Sequence, residues 1–277
     1  EQTQSARVYD QGRTNACGGY AVKTAIECLR ALAGLPFRPV SAQWMYNRAR
    51  EFAGTLDVDN GSGQIELVKA LEVGYLFEDQ FDGTLSRPSA QDATAHENGA
   101  IRATLGWLPG ADSLTAIKRS LSMGLPAIIC IPVGESLWSG IQGDDWKKHN
   151  PTMGEERNTH WCTVVGFDDS VERILIEDSS GPQAWDGGFF GLPYSLVNTP
   201  GYLKQAWRIE HIQNVPIKVK DIGEQAALTK MDVGRWFDAH KNNVPLSVRD
   251  AYLSVNPLNF FSLALQAFEP CKPILLG

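Results

Sequence analysis

Gln11 and Cys17 stand six positions apart, directly ahead of a strongly helical stretch. A cysteine in the first turn of a helix lies near aligned, unpaired backbone N–H groups, whose positive end favours thiolate over thiol. The thiolate is the nucleophilic form, so chemistry at Cys17 calls for a base and a group to orient that base. Of the five histidines, His96, His149, His211 and His240 lie in polar contexts, whereas His160 opens an apolar, strand-like segment. Asp178 closes the next β-like segment, and adjacent antiparallel strands would bring it beside His160. A Cys/His/Asp set supplies a nucleophile, a base that takes and returns a proton, and a carboxylate that holds the imidazole tautomer. The Gln11 side-chain amide and the Cys17 backbone N–H would then stabilise an oxyanion, each such donor being worth about 2.7–4 kcal/mol.

These residues need elements to position them. Ala21, Val22, Ala25, Ile26, Leu29 and Leu32 recur at three- and four-residue steps and predict a helix over 18–32 with one buried face. Ser41 is placed to cap a second helix over 41–52, and 65–73 reads as a third, closed by Gly74. The polar stretch 80–99 reads as an exposed connection, and helical periodicity returns over 113–123. The apolar run 127–133 is a buried strand. After the polar loop 140–158, strands are predicted at 159–167, 173–177, 187–192 and 206–212. A helical first half followed by an antiparallel second half predicts an α+β fold with segregated lobes. Beyond Val215 some sixty residues look helical again, which divides the chain into a domain over 1–212 and a C-terminal extension over 213–277.

Composition narrows the function classes. A net charge of -7, with no basic run longer than Lys147-Lys148, argues against nucleic acid as a partner. No apolar stretch reaches the roughly 18 residues of a membrane-spanning helix. Five scattered cysteines, Cys17, Cys28, Cys130, Cys162 and Cys271, form no CxxC pair and have no histidine at ligand spacing, so neither a metal site nor a cofactor is expected. Cys28, Cys130 and Cys162 sit in apolar runs and read as small buried hydrophobes. This pattern favours the cytoplasm or another reducing compartment, although a first residue of Glu1 leaves a processed or virion-associated form open and the localisation unknown.

Over about residues 8–212 the chain resembles papain-family (C1-type) cysteine peptidases. Val8-Tyr9-Asp10-Gln11-Gly12 through Cys17-Gly18-Gly19-Tyr20 is similar to the family's oxyanion glutamine and nucleophile region. Val40-Ser41-Ala42-Gln43, the segment from Ser113 to Val133, the histidine strand Thr159 to Phe167, and Asp178-Ser179-Ser180-Gly181 with Gly187-Gly188-Phe189-Phe190 match further family segments in order. His160 also follows Cys17 within the family's separation of roughly 130–150 residues. The resemblance implies a papain-like two-lobed fold, with a cleft between a helical and a β-rich lobe. It implies peptide-bond hydrolysis through a thioester, with Cys17 as nucleophile, His160 as general base and acid, Asp178 as orienter and Gln11 as oxyanion donor. It further points to Gly61 as binding substrate backbone and Ala127 as lining the specificity pocket.

The pattern also breaks. The family's orienting asparagine is Asp178 here, an anion that favours the imidazolium and hence the thiolate–imidazolium pair. The tryptophan two positions later is Ser180, a loss expected to leave the His160–Asp178 contact more open to water; Trp185, seven residues after Asp178, leaves an insertion open. Thr14 and Gly19 replace the cysteines near the nucleophile, so the family's common disulfides there cannot form, as in a bacterial or viral type of branch. Gly19 and Tyr20 still permit close approach of a substrate backbone. A peptide or protein substrate is thus the first reading. A catalytically weak scaffold that binds or assembles with a partner, through 213–277 among others, and a cell-wall peptide hydrolase or amidase are the alternatives.

Overall fold

The computed structural model describes residues 8–81, 100–108, 113–134 and 158–217. Three helices come first: α1 (Cys17–Leu32), α2 (Ala42–Ala53) and α3 (Gln64–Val73). Ser41 caps α2 as its sequence position predicts, its hydroxyl accepting the Trp44 N–H at 3.1 Å. Helix α1 is more enclosed than a one-faced pattern implies, since even Lys23 is fully buried. Gly19 is required there by packing: a Cβ would stand 2.3 Å from the Ala42 carbonyl oxygen. The backbone that approaches Gly19 is that of α2.

Among the described residues, six strands form one antiparallel sheet in the order β1-β6-β2-β3-β4-β5. They are β1 (Ala103–Trp107), β2 (Ala127–Val133), β3 (Asn158–Asp168), β4 (Arg173–Glu177), β5 (Phe189–Pro193) and β6 (Gln205–Ile212). Helix α4 (Ser113–Ser122) precedes β2, and a single-turn helix α5 (Tyr194–Val197) follows β5. The sequence pattern does not predict strand β1. Five residues with no strict alternation carry little local signal, and the strand exists by pairing with β6, a hundred residues away in sequence.

The sheet is buried on both faces. Ile128 and Cys130 join the core under α1, α2 and α3, whereas Ala127, Ile129, Ile131 and Val133 join a second core with β4, β5 and α4. Two-sided burial is why β2 reads as a continuous apolar run. The helical core also takes in Val215 and packs Ile217 against itself, a few residues past the end of β6. No described helix is long and apolar enough to cross a membrane. The connection at 82–99, most of the polar loop at 140–158, His96, His149, His240 and the extension from 218 onward lie outside the described residues.

Candidate active site

Cys17 is the first residue of α1, and that helix start has Ala16 at its N-cap with no side-chain cap bond. Uncapped N–H groups remain available there; the Gly18 N–H bonds to the Cys17 sulfur, as does the backbone N–H of Trp161 in β3. The site takes its second residue from the sheet. His160 lies in β3, opposite Ile131 of β2, and its side chain hydrogen-bonds Cys17. Its Nε2 meets Asp178 Oδ1 at 2.5 Å, so Nδ1 is the ring nitrogen left for Cys17.

Asp178 follows β4 directly, one residue beyond the Thr163↔Glu177 pair, which explains how antiparallel pairing delivers it to His160. Its second oxygen, Oδ2, accepts from the Ser180 N–H at 3.2 Å, the Ser180 hydroxyl at 2.5 Å and the Trp185 indole N–H at 3.0 Å. Trp185 reaches back from a turn spanning Gly181 to Gly188, where the Gly188 N–H donates to the Ala184 carbonyl at 2.7 Å. Its own φ is 53°, a left-handed backbone costing on the order of 1 kcal/mol. The bond to Asp178 and the tilted packing of its ring on Phe190, centroids 4.8 Å apart, offset that cost.

Gln11 comes from the segment before α1. That segment runs along residues 179–181: Asp10 bridges Ser180, the Gln11 N–H donates to the Ser179 carbonyl at 2.8 Å, and the Gly181 N–H donates to the Tyr9 carbonyl at 3.0 Å. The chain then reverses at Gly12, with φ at 62° and its N–H on Asp10 Oδ1. The Gln11 amide is held at both ends, Oε1 by the Ser179 hydroxyl at 2.6 Å and Nε2 by the Thr14 carbonyl at 2.7 Å.

A cleft of about 340 Å³ opens over these groups, and Gln11, Cys17, His160 and Ser180 are among the residues lining it. Gly61 and Ala127 are not among its described lining residues. Gly61 lies near Asn15 with its N–H on the Tyr46 hydroxyl, and Ala127 is fully buried in the sheet. No group of three His, Cys, Asp or Glu side chains among the described residues is placed to hold a metal.

No family profile and no curated protein matches the sequence. Solved structures do match in shape. Xylellain, a cysteine protease from Xylella fastidiosa, superposes with a TM-score of 0.63 at 21% identity, over 77% of this chain and 85% of that one. Digestive procathepsin L 3 from the Tenebrio molitor larval midgut matches at 0.56 and 16% identity, over 75% and 67%. Bromelain from Ananas comosus matches at 0.56 and 14% identity, over 75% and 93%. The chain has the papain-like fold.

Position 180 carries no indole, and Trp185 brings one to Asp178 instead. The expected opening of the His160–Asp178 contact to water does not occur, because Trp185 returns to Asp178 and leaves it 3% and His160 6% exposed. The only advance signal was the indole seven residues downstream, and a turn conformation decides whether such an indole comes back. Burial pushes the Asp178 carboxyl up, but the His160 charge and the donors from His160, Ser180 and Trp185 overcome it and hold it below its ordinary value. Burial likewise pushes the His160 imidazole down, yet Asp178 and Cys17 raise it to about 10. For Cys17, burial opposes ionisation, and His160 with the two backbone N–H groups lowers the thiol below its usual range. These directions favour a thiolate–imidazolium pair.

Proposed function

We propose that the chain is a cysteine peptidase acting on peptide or protein substrates. The observation that carries this reading is the hydrogen-bonded series Cys17, His160 and Asp178, of which Cys17 and His160 line a cleft that Gln11 also lines. The papain-like fold and its cysteine protease neighbours support it. The Cys17 thiolate attacks the scissile carbonyl carbon, and the carbonyl electron pair moves onto oxygen. The Cys17 N–H and the Gln11 amide N–H not used by Thr14 receive that oxyanion. When the C–N bond breaks, the His160 imidazolium gives its proton to the departing amine, leaving a thioester on Cys17. Water then attacks the thioester, His160 takes a proton from it, and the acid product leaves with the thiolate restored. Asp178 keeps His160 in the orientation that points Nδ1 at Cys17 throughout.

The direct test is active-site titration of the folded protein with an epoxysuccinyl peptide, followed by mass mapping. One equivalent is expected on Cys17, with peptide hydrolysis lost in step and absent in Cys17→Ala. Folded protein that takes up no label at Cys17 would falsify the reading.

A further inference from the structure

If Cys17 is to present its backbone N–H to an oxyanion, the peptide entering α1 must be held still, and α1 lacks a cap of its own to do this. The restraint comes from another loop. The Asp59 carboxylate accepts the Asn15 N–H at 3.0 Å and 3.2 Å through its two oxygens, while Asn15 Nδ2 donates to the Asp59 carbonyl at 2.6 Å. Each residue thus holds the other by backbone and side chain. Tyr46 of α2 donates its hydroxyl to the same carboxylate and accepts the Gly61 N–H at 3.0 Å. Burial and the Asp59 carboxylate both push the Tyr46 hydroxyl up, so it stays protonated as a donor. None of Cys17, Cys28, Cys130 and Cys162 forms a disulfide, so hydrogen bonds make this joint. Asn15 itself lines the cleft two residues from the nucleophile.

We infer that Asp59 is a positioning residue: acting through Asn15, it ties the loop entering α1 to α2 and to the loop around Gly61, and so sets the Cys17 N–H in place. Its effect on rate rests on the peptidase reading; its grip on the loop does not.

The test compares Asp59→Ala, Asp59→Asn and Asp57→Ala, the last removing an exposed carboxylate of the same loop. In Asp59→Ala, kcat is expected to fall about 100-fold with KM changed by no more than about twofold, as for a small misplacement of a reacting group. Amide exchange at residues 14–17 should quicken, and the pH midpoint for alkylation of Cys17 should stay put, because His160 and Asp178 are untouched. Asp59→Asn keeps an acceptor for Asn15 and should recover most of the rate, and Asp57→Ala should match the unaltered protein. An unchanged kcat in Asp59→Ala, or unchanged exchange at 14–17, overturns the inference. If Asp59→Ala does not fold, Asn15→Ala takes its place: a lower kcat with faster exchange at 14–17 supports the inference, and an unchanged kcat overturns it. If the unaltered protein neither hydrolyses peptides nor takes up the epoxysuccinyl label, the peptidase reading fails separately. Exchange at 14–17 then decides alone, faster in Asp59→Ala in support and equal against.

Discussion

Asp178 is a carboxylate where a neutral amide would serve to orient an imidazole, and the difference lies in charge. Asp178 supplies the largest influence raising His160, and the resulting ion pair is populated between the lowered Cys17 value and about 10 for His160. We therefore expect kcat/KM to trace a bell against pH with its alkaline limb near 10. In Asp178→Asn the imidazolium loses its anionic partner, so that limb should move to lower pH; a limb that stays in place counts against Asp178 as the source of the shift. Trp185→Phe keeps a ring against Phe190 but removes one donor to Asp178. Losing a hydrogen bond to a charged group should cost about 1.5–3 kcal/mol, read by urea denaturation, with the loss of stability on acidification setting in at higher pH as Asp178 becomes easier to protonate. The residue types at the site were legible in the sequence. The return of Trp185 was not, because it depends on a left-handed backbone in a turn whose partners, Ala184, Gly188 and Asp178, are chosen by the folded sheet.

At the scale of elements, α1 carries both the nucleophile and a fully buried cation. Lys23 Nζ donates to the Val40 carbonyl at 2.7 Å, pairs with Glu78, and lies 3.5 Å from Glu27. Glu27 in turn accepts the Tyr9 hydroxyl at 2.6 Å and the Val40 N–H at 2.7 Å, which ties the segment leading to Gln11 to the flank of α1. Lys23→Met should destabilise the protein by about 3–5 kcal/mol, because it strands a buried carboxylate, and denaturant midpoints would report it. A loss within experimental error would show that Glu27 is neutral without Lys23. Helical periodicity was enough to place α1, α2, α3 and α4 to within a residue or two, since the apolar stripe and the Ser41 cap are local signals. The burial of Lys23 and the existence of β1 depend on partners remote in sequence, Val40 and Glu78 for one and β6 for the other.

Across the whole molecule the buried ionisable groups set opposed pH limits. Asp178 is held low, so its contribution to stability is present above its ordinary 3.8 and is lost as pH falls through its folded value. Burial raises Glu177 and Glu27, with nearby carboxylates adding to it, so their contributions are complete below 4.5 and are lost as pH rises. His160 adds a loss between 6.5 and about 10, and Cys17, held low, works in the opposite sense up to 9.0. Thermal stability is therefore expected to peak on the acidic side of neutrality, and Glu177→Gln should flatten the decline toward higher pH. A profile that is level from pH 5 to 9 in both proteins would refute this account. The sequence by itself determined the four longer helices, the strands from β2 to β6, the α+β class and the candidate set of Gln11, Cys17, His160 and Asp178, because periodicity, capping and residue chemistry are written locally. Tertiary structure alone decided that Trp185 shields Asp178, that Gly19 faces α2, that Gly61 and Ala127 lie outside the described cleft lining, and that Asp59 grips the loop entering α1. Each of those is a contact between segments far apart in the chain, and which segments meet is fixed by how the two cores pack on opposite faces of one sheet.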